Sequence, residues 1–88
     1  MYSAIVIGRV VSTDKHSALE GKKLMMVDRL DAEYNPIGEI HVATDYVGAG
    51  RGEWVLVTTG SSARRVWEDE CSAADETIVG IIDPNQQD

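Results

Sequence analysis

The sequence predicts an all-β fold, a small five-stranded barrel with one short helix. Valine and isoleucine dominate its apolar residues and phenylalanine is absent, and β-branched side chains favour strands. The apolar segments are short and are separated by Gly, Asn, Pro, Asp and Ser, a spacing typical of β-sandwiches and barrels. With 88 residues, the chain is predicted to form one domain, residues 1–88.

Three strands are predicted in the first half of the chain. Residues 2–13 form the first, with Gly8 marking a bend or bulge of the kind found at barrel corners. After a polar loop, residues 22–34 form the second strand. Residues 35–38, Asn-Pro-Ile-Gly, predict a turn because Pro fixes φ and Gly accepts positive φ. Residues 39–47 then return as the third strand.

A glycine-rich loop, a strand and a short helix are predicted next. Residues 48–52 form the loop, and residues 53–59 form a strand whose Trp-Val-Leu-Val run is expected to be buried on both faces. Ser61 or Ser62 is the expected N-cap of a helix that ends near Trp67.

The last strand is predicted over residues 77–83, after an acidic connection over residues 68–76, and Pro84 ends it. Five strands with a helix before the last one predict a partly open barrel that resembles the oligonucleotide-binding architecture. Because such a fold hosts many activities, it does not by itself assign a function.

The charge balance excludes several kinds of partner. The chain has 15 acidic and 8 basic residues, a net charge of −7, which disfavours binding to nucleic-acid phosphates or to an anionic membrane surface. No apolar run approaches the roughly 20 residues of a transmembrane helix. The first residues lack the basic segment of a signal peptide. We therefore expect a cytosolic protein with no nucleic-acid partner and no membrane partner.

Partner subunits are the expected source of additional stability. A domain of this size buries only roughly 60% of its unfolded surface. Cys71 is the only cysteine, so a disulfide within the chain is impossible. The two histidines, His16 and His41, are too scattered to predict a structural zinc site. Oligomerisation is the common remaining solution.

No motif predicts a catalytic site. In the glycine-rich loop the third glycine, Gly52, comes one position early for a dinucleotide fingerprint, and a strand follows in place of a helix. The Gly-Ser-Ser run at residues 60–62 is not a nucleophile elbow, because Arg64 stands where glycine is required. His16, on a loop, and His41, on a strand surface, have no spacing that ties them to a serine or a metal. We predict a non-enzyme without cofactor or metal.

Other conspicuous residues have ordinary interpretations. Asp28, Asp31 and Asp45 are interpreted as a solvated face, Cys71 as an incidental small residue, and both tryptophans as core or subunit-contact aromatics. The glycine-rich stretches, which include Gly80, indicate close approach of backbones between subunits or around an axis.

Several motifs resemble one known family. The run DYVGAGRGEWVLV at residues 45–57, followed by GSSAR at 60–64, is similar to the vertex proteins of bacterial microcompartments, the pentameric shell proteins of carboxysomes and ethanolamine-type metabolosomes. The stretches IGRVVST at 7–13, LEGKKL at 19–24 and ADETIVGIID at 74–83 resemble the family too. Together they span nearly the whole chain in order.

The resemblance implies a five-stranded barrel that assembles as a cyclic homopentamer, caps the five-fold vertices of a microcompartment and closes its polyhedral shell. Its partners would be the other subunits and hexameric shell proteins, and its location the shell within the cytoplasm. Arg64 would make a charge-assisted contact with a neighbour. The resemblance also implies which residues form subunit contacts or line an axial pore: Gly48, Ala49, Gly50, Gly52, Gly60, Ser61, Ser62 and Arg64.

Two other functions stay open at this level. One is an OB-like barrel that binds an oligonucleotide or an oligosaccharide on its strand face, which requires a basic or aromatic groove that the composition disfavours. The other is a small hydrolase or metal enzyme that uses His41 and a carboxylate.

Overall fold

The chain folds in the predicted order of elements. The computed structural model describes residues 1–11, 19, 21–67 and 74–84. His16, Cys71 and the tail lie outside these residues. In the described part, no helix has the length and apolar character needed to cross a bilayer. The elements are β1 Tyr2–Val10, β2 Lys23–Leu30, β3 Pro36–Asp45, β4 Trp54–Thr59, α1 Gly60–Arg65 and β5 Glu76–Ile82.

The five strands close into a barrel in the order β1-β2-β3-β5-β4. The expectation of a partly open barrel is therefore wrong, because β3 pairs with β5 and completes the circle. Four of the five strand pairs are antiparallel. The β3–β5 pair is parallel and has only two register positions, Thr44 opposite Thr77 and Asp45 opposite Ile78.

Small aliphatic side chains fill the barrel. Val27, Val55, Val57 and Ile78 are completely buried. Along β4 these valines alternate with Trp54 and Leu56, which are half-buried. The expected burial of this run on both faces is wrong, because one face of β4 lines the core and the other lies on the outside of the barrel.

The tight turn between β2 and β3 comes earlier than residues 35–38, where it was predicted. Oδ1 of Asp31 accepts hydrogen bonds from the backbone N–H groups of Glu33 at 2.8 Å and Asn35 at 2.9 Å. Tyr34 completes the turn with a φ of +64°. Pro36 is the first residue of β3, a position that proline tolerates in a strand. The side chain of Asp31 thus stabilises the turn together with backbone hydrogen bonds between Asp31 and Asn35 and between Tyr34 and Asp31.

The β1 bulge is confirmed, because the pairing of β1 with β2 slips between Val6 and Gly8. The predicted helix cap is wrong. The N-cap of α1 is Thr59, which makes no side-chain capping bond, and Ser61 and Ser62 lie within the helix. The N–H of Gly60 instead donates to the carbonyl of Asp75 at 2.8 Å.

Truncating Ile78 to alanine should destabilise the fold strongly. Its side chain is completely buried, and such a truncation costs about 2–5 kcal/mol through lost transfer energy and the cavity left behind. Ile37→Ala is the matched control, because Ile37 is 51% exposed. Urea unfolding of both variants checks the prediction, and equal losses of unfolding free energy would contradict this placement of the core.

Candidate functional site

The carboxylate of Asp45 organises the glycine-rich loop. Its Oδ1 accepts hydrogen bonds from the N–H groups of Val47 at 3.1 Å and Gly48 at 3.0 Å. Its Oδ2 accepts one from Ala49 at 2.9 Å. Asp45 is 7% exposed, so its interpretation as part of a solvated face is wrong. It accepts from three loop donors at once, one of which belongs to the buried residue Ala49.

Three glycines serve this loop for different reasons. Gly48 and Gly52 have φ of +80° and +86°, which other residues rarely adopt. A Cβ on Gly50 would lie 3.1 Å from Oε1 of Glu53, the atom that accepts the Gly50 N–H. The N–H of Gly52 donates to the carbonyl of Val6 at 2.8 Å and ties the loop to β1. The loop is therefore held in one shape by hydrogen bonds within it and by one to β1.

The second predicted segment lies in α1. Gly60 has a φ of +63°, and Ser61 and Ser62 are exposed. Nη1 of Arg64 donates to Oδ1 of Asp75 at 2.7 Å. Arg64 thus has a partner within its own chain, and both side chains are open enough to solvent to exchange it for another.

The two predicted segments lie at opposite ends of β4. The glycine-rich loop precedes Trp54 and α1 follows Thr59. Six strand residues separate the ends by about 20 Å. One subunit therefore does not bring the two segments together.

An apolar patch lies on the outside of β2 and β3. We call Met26, Ile40 and Val42 the β2–β3 face; these side chains are 38%, 50% and 47% exposed. Met26 and Val42 are directly opposed in the strand register. Neighbouring apolar side chains at this exposure are typical of an interaction surface.

A second apolar surface lies beside β4 and β5. We call it the β4–β5 groove, a depression of about 470 Å³. Ile81 is 46% exposed there, and the ring of Tyr34 stacks on Trp54 with 4.7 Å between centroids. In the closed strand order, this groove and the β2–β3 face lie on different sides of the barrel. The groove is lined by Gly52, Glu53, Trp54, Ile81, Ile82, Asp83 and Pro84.

A polar cluster occupies the barrel end nearest α1. Nδ1 of His41 lies 3.1 Å from Oε1 of Glu76, and its Nε2 lies 2.7 Å from Oε2 of Glu39. The hydroxyl of Tyr2 donates to Glu76 at 2.6 Å, and Arg29 lies 3.5 Å from Glu39. His41 pairs with buried Val27 in the register and shares its inward face. The interpretation of His41 as a solvated surface residue is wrong.

The pKa values in this cluster shift in directions that its contacts explain. The hydrogen bond to Glu39 raises the pKa of His41, and the same bond lowers the pKa of Glu39. Burial raises the pKa of Tyr2, and its hydrogen bond to Glu76 raises it further. The folded chain therefore favours a protonated His41 beside an ionised Glu39.

The described part of the chain places no three His, Cys, Asp or Glu residues together in a way that could hold a metal ion. Both ring nitrogens of His41 contact carboxylates, so neither is available to activate a nucleophile. Ser61 and Ser62 are ordinary exposed positions of a short helix.

Comparison with known proteins identifies the family. The family model described as ethanolamine utilisation protein EutN/carboxysome matches residues 1–83. The chain belongs to this family. It is 47% identical over 83 residues to the bacterial microcompartment shell vertex protein EutN of Salmonella typhimurium, covering 94% of this chain and 84% of that protein. It is also 47% identical over 83 residues to the carboxysome shell vertex protein CcmL of Synechocystis sp., covering 94% and 83%.

A solved relative has the same fold. The pentameric microcompartment shell protein GrpN from Rhodospirillum rubrum superposes with a TM-score of 0.85 at 48% identity, covering 94% of each chain. The predicted membership of the microcompartment vertex-protein family and the predicted role as a shell vertex protein are both confirmed. All three relatives are named shell proteins, which does not favour the alternative of an oligonucleotide or oligosaccharide binder.

Asp45→Ala should loosen the glycine-rich loop. It removes the acceptor of three backbone N–H groups in a site that is nearly closed to solvent, a loss of about 1–3 kcal/mol of unfolding free energy. Asp31→Ala is the matched control, because Asp31 accepts two N–H bonds in an exposed turn. Urea unfolding and amide exchange at Gly48 check the prediction. A larger loss in the Asp31 variant would contradict it.

Proposed function

We propose that this chain assembles as a cyclic homopentamer that occupies the five-fold vertices of a bacterial microcompartment shell. The proposal is supported by family membership and by the relative GrpN, which is 48% identical and described as pentameric. Flat layers of six-fold tiles cannot close a polyhedron by themselves. Pentagons at the corners supply the missing curvature, so we take hexameric shell proteins as the second partner.

The two apolar surfaces on different sides of the barrel support the proposed ring assembly. A ring needs a heterologous contact, in which one patch on a subunit meets a different patch on the next. The β2–β3 face projects Ile40 and Val42, and the β4–β5 groove offers a depression that Ile81 lines. A projecting face and a receiving groove on one molecule suit repeated head-to-tail contact.

The segments at the two ends of β4 also suit a ring. In a heterologous contact, residues far apart on one subunit meet across the boundary with the next. We assign the exposed glycines of the loop and the exposed serines of α1 to subunit contacts or to the axial opening. Arg64 could exchange Asp75 for a carboxylate or carbonyl of the neighbour.

The role proposed here is structural and involves no catalysis. The relatives are named shell vertex proteins, and the histidine of the described chain is engaged by two carboxylates. The protein would reside in the microcompartment shell within the cytoplasm.

Placing a charge on either apolar surface should break the ring. Val42→Glu and Ile81→Glu each put a carboxylate where the proposal buries an aliphatic side chain, and burying an unpaired charge is strongly unfavourable. We expect the wild type to have the mass of five subunits by native mass spectrometry and each variant to lose it. Ile37→Glu, also at an exposed isoleucine but outside both surfaces, should retain the pentamer.

Mixing the two variants tests the pairing itself. The Val42 variant keeps an intact groove and the Ile81 variant an intact β2–β3 face, so one good contact remains between them. We expect a one-to-one heterodimer and no ring. The proposed pairing is wrong if the mixture stays monomeric or if either variant alone still forms pentamers.

Bulky side chains in α1 should weaken the ring without unfolding the subunit. Ser62 is exposed, so Ser62→Trp fits a single chain but obstructs a close contact between subunits. Arg65→Trp, at an exposed position in the same helix, is the control. Native mass spectrometry and circular dichroism should show a folded Ser62 variant with fewer pentamers. Normal pentamers would remove Ser62 from the contact. Gly50→Leu tests in the same assay whether the glycine-rich loop contacts a neighbouring subunit. It should weaken the pentamer too, although its side chain also displaces Glu53.

A further inference from the structure

Both ring nitrogens of His41 face carboxylates. Nδ1 lies 3.1 Å and 3.2 Å from the two oxygens of Glu76, and Nε2 lies 2.7 Å from Glu39. A neutral imidazole has one donor and one acceptor nitrogen, so one of the two contacts would set a lone pair against a carboxylate. Only the doubly protonated ring donates to both. The geometry therefore favours a charged His41 beside ionised carboxylates.

Charged and titratable groups face His41 from four strands. β1 contributes Tyr2, whose ring centroid is 5.0 Å from that of His41. β2 contributes Arg29, which contacts Glu39 and lies over the ring of Tyr2. β3 contributes Glu39 and β5 contributes Glu76. Two carboxylates thus face two cations when His41 is protonated, and deprotonation leaves one negative charge unbalanced.

The bond between His41 and Glu76 crosses the weakest seam of the barrel. β3 and β5 share only two register positions, in a parallel pairing, which is slightly less stable per residue than an antiparallel one. Side-chain contacts reinforce it: Oγ1 of Thr44 lies 2.8 Å from Oγ1 of Thr77. The ion pair between His41 and Glu76 adds a charged contact to the side-chain contacts that join β3 and β5.

The same seam holds α1 in place. The Oγ1 hydroxyl of Thr77 donates to the carbonyl of Ala63 at 3.1 Å, and Nε1 of Trp67 donates to Oγ1 of Thr44 at 3.2 Å. A change in the separation of β3 and β5 is therefore expected to displace α1, the helix that contains Ser61 and Ser62.

We propose that His41 is a protonation-dependent latch on the β3–β5 seam, so that its deprotonation loosens the seam and α1 and weakens the ring. The effect on the ring rests on the function proposed above, whereas the latch itself is a property of the single subunit. The latch opens when the His41 ring loses one of its two N–H protons, and vertex assembly then becomes sensitive to pH.

The sign of the pH dependence follows from linkage. The bonds to Glu39 and Glu76 raise the pKa of His41 despite its partial burial. A group whose pKa is raised on folding stabilises the folded state fully below its unfolded pKa, about 6.5 for histidine. This stabilisation is lost as the pH rises through the folded pKa. The latch is therefore closed at pH 6 and opens on the alkaline side.

Amide hydrogen exchange across the seam tests the latch. The Tyr46 N–H donates to the Ile78 carbonyl at 3.2 Å and reports on it. Dividing the intrinsic exchange rate by the observed rate removes the direct effect of pH. We expect this protection to fall about two- to fivefold between pH 6 and pH 9, the range for partly exposed ion pairs, while the β1–β2 ladder changes less. His41→Gln, which cannot titrate, should abolish the change.

Several results would overturn the latch. One is equal protection of Tyr46 at both pH values in the wild type, and another is the same fall in the His41→Gln variant. If that variant does not fold, an NMR titration of the His41 ring in the wild type tests the latch instead. A pKa at or below the ordinary histidine value contradicts the latch. Glu76→Gln should lower the titration midpoint of His41, since it removes one of the two carboxylates.

Native mass spectrometry at the same two pH values separates this inference from the proposed function. A fall in the pentamer fraction from pH 6 to pH 9 that His41→Gln suppresses supports both. Absence of pentamers at both pH values contradicts the proposed function, while the exchange data still test the latch. Pentamers at both pH values with an unchanged Tyr46 amide contradict the latch and leave the vertex role standing.

Discussion

Closure of the barrel through the short parallel pair of β3 and β5 is the constraint on which the rest of the structure depends. Without this pair both strands would be open edges and the aliphatic core would be exposed on one side. Closure also fixes which side chains face outward. It places Met26 and Val42 on one side, the β4–β5 groove on another, and α1 beside the seam. The positions of the proposed contact surfaces therefore follow from closure of the five-stranded barrel.

A small barrel cannot bury all of its apolar residues. Among the described residues, its core consists mainly of alanine and valine, because the interior of five strands leaves little room for larger side chains. The remaining aliphatic side chains, such as Ile40 and Ile81, therefore lie outside. On a monomer they would be an aggregation liability, whereas burial against neighbouring subunits of the proposed pentamer would stabilise the assembly. The small size of the domain therefore favours the proposed assembly, because only subunit contacts would bury these side chains.

Local sequence signals predicted the structure well only where interactions between residues close in the chain determine it. The succession of elements along the chain and the bulge near Gly8 were correct, since alternation and glycine act over a few residues. The β2–β3 turn was misplaced because the side chain of Asp31 outcompeted the Asn-Pro-Ile-Gly signal. The role of Asp45 was missed for a similar reason: an aspartate that binds three backbone N–H groups looks like any surface acid in sequence.

The sequence by itself determined the strand-rich fold, the absence of an internal disulfide and, through its motifs, the shell vertex family. The tertiary structure decided the parallel closure, the separation of the two glycine-containing segments and the charged surroundings of His41. The physical reason is distance along the chain. His41 and Glu76 are 35 residues apart and Tyr2 and Glu76 are 74 apart, so only folding brings them together, and no local pattern records their contact.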